Sequence, residues 1–196
     1  MSSDIRELDA RAVRASVALV NQAGHGDLDR PTPCEGWTLR DLLAHMSIQH
    51  YGFAAAARGA GAELAQWQPV ELAEPVSDYA QAAEFVITAF AADGVLEAAF
   101  TLPEISTAQT FPASQAISFH CLDYVVHSWD VAQSLGVQPD LDDDLVAAAL
   151  RIGRMVPTGA SRLVPGAAFG PTLPADEKAD PLLQLMAMLG RTPLAR

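Results

Sequence analysis

Residues 116–135 read AISFHCLDYVVHSWDVAQSL, and this stretch decides the fold. Wound at about 100° per residue, it places His120, Asp123, His127, Asp130 and Ser134 on one stripe less than about a quarter of the helix circumference wide. Ile117, Phe119, Cys121, Leu122, Tyr124, Val125, Val126, Trp129, Val131, Ala132 and Leu135 cover the other faces. A helix apolar almost all round is a buried helix, so its polar stripe is expected to be buried as well. Carboxylates and imidazoles in that position must be paired, hydrogen-bonded or bound to a metal.

Asp123 and His127 stand four residues apart, about 6 Å along the axis, so both can converge on one ion, as the two histidines of a zinc-binding helix do. Two ligands do not close a site. A third must come from elsewhere in the chain, with a position left open if the metal is to do chemistry. The stripe has a second reading, a metal-free core network in which Asp123 orients His127 by hydrogen bonding, and periodicity alone leaves both open.

Working outward, residues 5–23 form a first helix with Ile5, Leu8, Val13, Val17 and Val20 towards the core, ended by Gly24 and Gly26. The rigid turn RPTPCEGW (30–37) leads into a second helix, where Thr38 and Asp41 have the spacing of a capping box. Leu39, Leu42, Leu43, Met46 and Phe53 share its apolar face, with His45 at the border and His50 inside the arc. Each histidine, taken alone, reads as a packed, hydrogen-bonded residue.

A long connection containing Trp67 precedes a third helix, residues 77–100, with Ser77 as N-cap and Asp93-Gly94 as a point of bending or breakage. Residues 101–111 carry a short extended segment. After the central helix, stopped by Gly136, come a fifth helix over 141–155 and a Gly/Pro-rich stretch over 156–176. A loop of that length is functional or an ordered strap. A last short helix, 182–189, opens with Asp180-Pro181. The fold class is all-α: an antiparallel four-helix bundle over about 4–136, with short C-terminal helices and the strap over 137–196, in a single domain spanning 1–196. Such bundles build metal sites from side chains that face one another across the core.

The composition excludes several classes of function. Asp plus Glu number 24 against 12 Lys plus Arg, a net charge of −12, with no basic run, so neither nucleic acid nor an anionic membrane surface is a partner. The charged start lacks the pattern of a secretory signal, and no apolar run reaches the roughly 18 to 20 residues of a membrane span; the chain reads as cytoplasmic. Cys34 and Cys121 form no CxxC pair. Cys121 lies on an apolar helix face, about 100° or more from the ligand stripe, and Cys34 lies roughly two to three helical turns before His45. Neither thiol is therefore placed at the site.

Two segments together, TPCEGWTLRDLLAH (32–45) and DYVVHSWDVA (123–132), resemble the DinB/YfiT-like superfamily, specifically the N-terminal domain of mycothiol-dependent maleylpyruvate isomerase. The tail, PGAAFG (165–170) with LGRTP (189–193), resembles an uncharacterised actinobacterial branch of that family. The resemblance implies a four-helix bundle holding one divalent metal, zinc or nickel by ligand type, with ligands that fall here on His45, Asp123 and His127. It implies mycothiol as cofactor, a small-molecule thiol and a small substrate as partners, and is compatible with a homodimer.

There are departures. The family's metal-binding acid is Glu where this chain has Asp123, and its isomerases carry a further C-terminal domain that 196 residues do not accommodate. The shorter Asp arm alters the ligand distance or calls on a water, and places His120, one turn away, as a candidate to join or hydrogen-bond the shell. Asp130 is placed as the partner that fixes an imidazole, that of His45 or His127. The function read from this is a metal-dependent thiol S-transferase or isomerase in which Trp129 and the strap shape the pocket, although Trp129 points away from the ligand stripe and reads equally as core packing. The alternatives are a metal-dependent hydrolase and a non-catalytic, stress-associated metal-binding protein.

Overall fold

A computed structural model of the protein describes residues 4–69, 71–164, 167–176 and 178–194. The helices are α1 (Ile5–Val20), α2 (Leu39–Ala57), α3 (Pro75–Phe90), α4 (Ala113–Leu135), α5 (Asp143–Gly153) and α6 (Pro181–Met188). Strands β1 (Ala99–Phe100) and β2 (Phe111–Pro112) form one antiparallel pair. The architecture is all-α, as the helical patterning requires.

Local chemistry sets the helix ends. Thr38 caps α2: Thr38 Oγ1 accepts from the Asp41 N–H at 3.3 Å and Asp41 Oδ2 accepts from the Thr38 N–H at 2.9 Å, the reciprocal pairing of a capping box. Asp142 opens α5 by accepting the Leu145 N–H at 2.9 Å. α6 begins with Asp180 as cap and Pro181 at its first position. Gly136 ends α4 in the left-handed conformation, φ 72°.

The third helix differs from the sequence reading. It begins at Pro75, two residues before Ser77, whose hydroxyl donates to the Glu74 carbonyl rather than capping the helix. It ends at Phe90, because Gly94 takes φ 75° and turns the chain into a short 3₁₀ segment, Val95–Glu97, and then β1. The extended pieces flank the 101–110 loop rather than running through it. Within the strap, Pro165 and Gly166 lie outside the described residues.

α1 packs against α3 and α4, and α2 against the same two, while α5 lies on α4 and α1 and carries α6. The interior these helices share contains Tyr79, Tyr124, Phe90, Phe100, Leu42, Leu43, Met46 and Ile117, all at or near zero exposure. α4 is thus enclosed on several sides, and its polar stripe goes inside with it: His120, His127, Asp130 and Ser134 are buried. No helix among the described residues is long and apolar enough to cross a membrane.

Candidate metal centre

The buried stripe of α4 divides into two networks. At its N-terminal end His120 turns to α1 and α2. Its Nδ1 lies 2.6 Å from Asp9 Oδ1 and its Nε2 lies 3.1 Å from His50 Nδ1. With Asp9 ionised, a carboxylate can only accept, so His120 donates from Nδ1–H and its Nε2 accepts the hydrogen bond that His50 Nδ1–H donates. The His50 ring stacks on Tyr124 with centroids 4.0 Å apart and an interplanar angle of 10°. Tyr124 in turn donates to the Met46 carbonyl. Burial pushes the Asp9 carboxyl up, against the pull of His120, and holds His50 well below the usual imidazole range. His120 therefore has both ring nitrogens engaged and does not join the other group. The expectation that it joins or hydrogen-bonds a metal shell does not hold, because Asp9 and His50, on two other helices, take both of its ring nitrogens.

One turn further on, α4 supplies Asp123 and His127, and α2 supplies His45. The three offer ligand atoms that all lie within 4.8 Å of one another. His127 Nε2 is 3.5 Å from Asp123 Oδ1, and the rings of His45 and His127 meet edge to face with centroids 5.4 Å apart. His127 is buried, whereas the Asp123 side chain keeps 29% of its surface exposed, so the group has one wet side. Trp37, from the turn before α2, lies over His45 with ring centroids 4.9 Å apart.

Two imidazole nitrogens and a carboxylate oxygen form a donor set suited to a divalent ion, and protonation in the ion's absence is consistent with that. Burial and the neighbouring His127 push the His45 imidazolium down to about 4, Asp123 offsetting this only in part, so His45 presents a neutral nitrogen. Burial also opposes a charge on His127, but Asp123 and the hydrogen bonds with Asp130 and Cys34 outweigh it and hold its pKa up at about 10. A cation bound there would have to displace the proton that these neighbours favour on His127.

On the far side of the His127 ring, Nδ1 lies 2.9 Å from Asp130 Oδ2. Of the two imidazoles that the sequence offers Asp130, those of His45 and His127, the structure pairs it with His127. That oxygen also accepts from Cys34 Sγ at 3.5 Å and from Arg191 Nε at 3.2 Å. Cys34 therefore stands beside the site, contrary to the distance read along α2. The turn before α2 folds back on itself, with Thr32 N–H donating to the Trp37 carbonyl at 3.0 Å and Gly36 at φ 78°. Cys34, His127 and Asp130 form a second cluster of metal-ligating residue types, with the Arg191 guanidinium already on Asp130 Oδ2.

Trp129 is 2% exposed and packs in the core; the aromatic at the site is Trp37. Cys121 is buried, and burial raises its thiol far above the usual range. A surface cleft of about 510 Å³ elsewhere on the molecule is lined by Asp4, Arg6, Glu7, Asp9, Arg11 and Phe90 among others, none of them one of the three candidate ligands. Arg191 is the site residue that spacing does not disclose. It lies 61 residues from Asp130, and its only sequence signal is membership of the LGRTP segment.

Residues 10–132 match the mycothiol maleylpyruvate isomerase N-terminal domain family. Two uncharacterised proteins of Mycobacterium tuberculosis, from two strains, are each 30% identical to the chain over 188 residues, covering 93% of it and 94% of their own length. No solved structure matches the chain at a significant level. The matched span holds α2 and nearly all of α4, and with them His45, Asp123 and His127. By this match the chain belongs to the mycothiol maleylpyruvate isomerase N-terminal domain family, a group of DinB-like domains.

Proposed function

We propose that this protein is a metal-dependent enzyme that uses a low-molecular-weight thiol, mycothiol or a close analogue, for S-transfer or isomerisation on a small molecule in the cytoplasm. One zinc or nickel ion is held by His45, Asp123 and His127. The observation that carries the reading is the convergence of those three donors within 4.8 Å, at a buried spot with one exposed edge. Membership of a family named for mycothiol supplies the thiol.

The residues divide the work. His45 offers a neutral nitrogen, kept so by burial. His127 is oriented by Asp130 so that Nε2 turns to Asp123, the carboxylate–histidine arrangement that fixes the tautomer of metal-binding imidazoles. Asp123, part exposed, marks the side from which a solvent-borne thiol arrives, and Trp37 supplies an apolar wall beside His45. An ion bound there favours the deprotonated form of a thiol at an open position.

The test is a panel of electrophiles assayed with the metal-loaded protein, with and without mycothiol, in the wild type and in the Cys34→Ala, Cys121→Ala double variant. Turnover that requires the added thiol and survives in the double variant is expected. Turnover without added thiol in both proteins would point to activated water and a hydrolase. Loss of turnover in the double variant, with metal content and folding intact, would show that Cys34, beside Asp130, carries the chemistry instead.

A further inference from the structure

The C-terminal segment reaches the candidate metal centre from outside the matched family domain, which ends at residue 132. Its approach is built from several contacts. Leu189 is fully buried, anchoring the end of α6 in the core. Arg162, 6% exposed, ties the strap to that end: Nε donates to the Pro157 carbonyl at 2.8 Å and Nη1 to the Met188 carbonyl at 2.6 Å. The Gly170 N–H donates to the Leu189 carbonyl at 3.1 Å. Gly190 turns the chain at φ 77°, and a Cβ on it would stand 2.6 Å from the backbone carbon of Gly170. Backbone and strap meet there too closely for any side chain.

This turn delivers Arg191 to the buried end of α4. Its Nε and Nη2 lie 3.2 Å and 3.1 Å from Asp130 Oδ2, the oxygen that also faces His127 Nδ1 at 2.9 Å. The Asp130 side chain has no exposure and Arg191 keeps 13%. One enclosed carboxylate oxygen is thus shared between a largely buried guanidinium and the His127 imidazole. With Nδ1 held by Asp130, Nε2 is the His127 nitrogen that faces Asp123 and is left as the ligand atom.

We infer that Arg191 is a positioning residue for the metal centre: its guanidinium holds the Asp130 carboxylate in place, and through Asp130 fixes the ring of His127, so that docking of the C-terminal segment sets metal affinity. The inference rests on the metal-site reading above. It assigns a role at the site to a segment that the family domain does not contain.

The test measures the zinc dissociation constant by chelator competition, and the visible absorption of the cobalt-substituted protein, in the wild type, Arg191→Gln and Arg191→Lys. Removing a partner of this kind weakens metal binding by about 10- to 100-fold. That loss is expected for Arg191→Gln together with a changed cobalt spectrum, and a smaller loss for Arg191→Lys, which keeps the charge without the two-pronged contact. If Arg191→Gln does not fold, the Asp130→Asn, Arg191→Gln pair removes the buried charge with its partner and is expected to show the same loss. Wild-type zinc affinity and an unchanged cobalt spectrum in a folded Arg191→Gln or paired variant, even with a lowered melting temperature, would reduce Arg191 to a structural contact and overturn the inference. A wild-type protein that binds no zinc would instead remove the metal site itself, and the inference with it.

Discussion

His127→Ala is expected to bind no detectable zinc or nickel at concentrations that saturate the wild type, while remaining folded. His127 supplies the nitrogen nearest Asp123, 3.5 Å from its carboxylate, and its loss leaves two ligands on different helices with nothing between them. The fold has a reason to survive, because Asp130 keeps its ion pair with Arg191 at 3.1 Å when the imidazole is gone. Metal content by elemental analysis and a thermal melt of the metal-free protein check both halves. Full metal occupancy in this variant would sink the assignment of His45, Asp123 and His127.

His120→Leu is expected to do the reverse, costing stability and sparing the metal. The substitution leaves the Asp9 carboxylate buried at 1% exposure without the imidazole 2.6 Å away. Removing the hydrogen-bond partner of a buried carboxylate leaves an uncompensated buried charge, at a cost of about 3–5 kcal/mol. At about 2–4 °C per kcal/mol for a chain of this size, the melting temperature falls by roughly 6–20 °C. The Asp9→Leu, His120→Leu double variant should recover part of the loss, since it removes the unpaired charge as well. Metal stoichiometry should stay at the wild-type value in whatever fraction is folded. An unchanged melting temperature would contradict the network, and metal loss from a stable His120→Leu protein would return His120 to the metal group.

What the sequence discloses of this protein follows the range of the interactions involved. The capping box of Thr38 and Asp41 and the stop at Gly136 are local, and both stand where the residues put them. The burial of α4 follows from its nearly all-round apolar surface, and the meeting of Asp123 with His127 from helical spacing. Whether His120 faces the same partners as His127 is beyond periodicity: one stripe of a helix can be shared by two neighbours, and here Asp9 and His50 claim one end. The reading of the third helix as 77–100 runs ten residues past Phe90 because alanine and apolar residues continue there, while the break it marks at Asp93-Gly94 is where the chain turns, Gly94 being left-handed. Cys34 and Arg191 are the plainest cases. Each is brought to Asp130 by a folded-back loop, the turn before α2 in one case and the strap with its Gly170–Gly190 contact in the other. Neither approach leaves a spacing that can be read along the chain.

The most direct measurement is X-ray absorption at the zinc edge on protein loaded with one equivalent of zinc in the absence of any added thiol. Two imidazole nitrogens with oxygen completing the set, and no sulfur, are expected from His45, His127 and Asp123. A sulfur scatterer at about 2.3 Å, the zinc–thiolate distance, would place the ion on Cys34, the cysteine that lies beside His127 and Asp130, and would contradict the assignment.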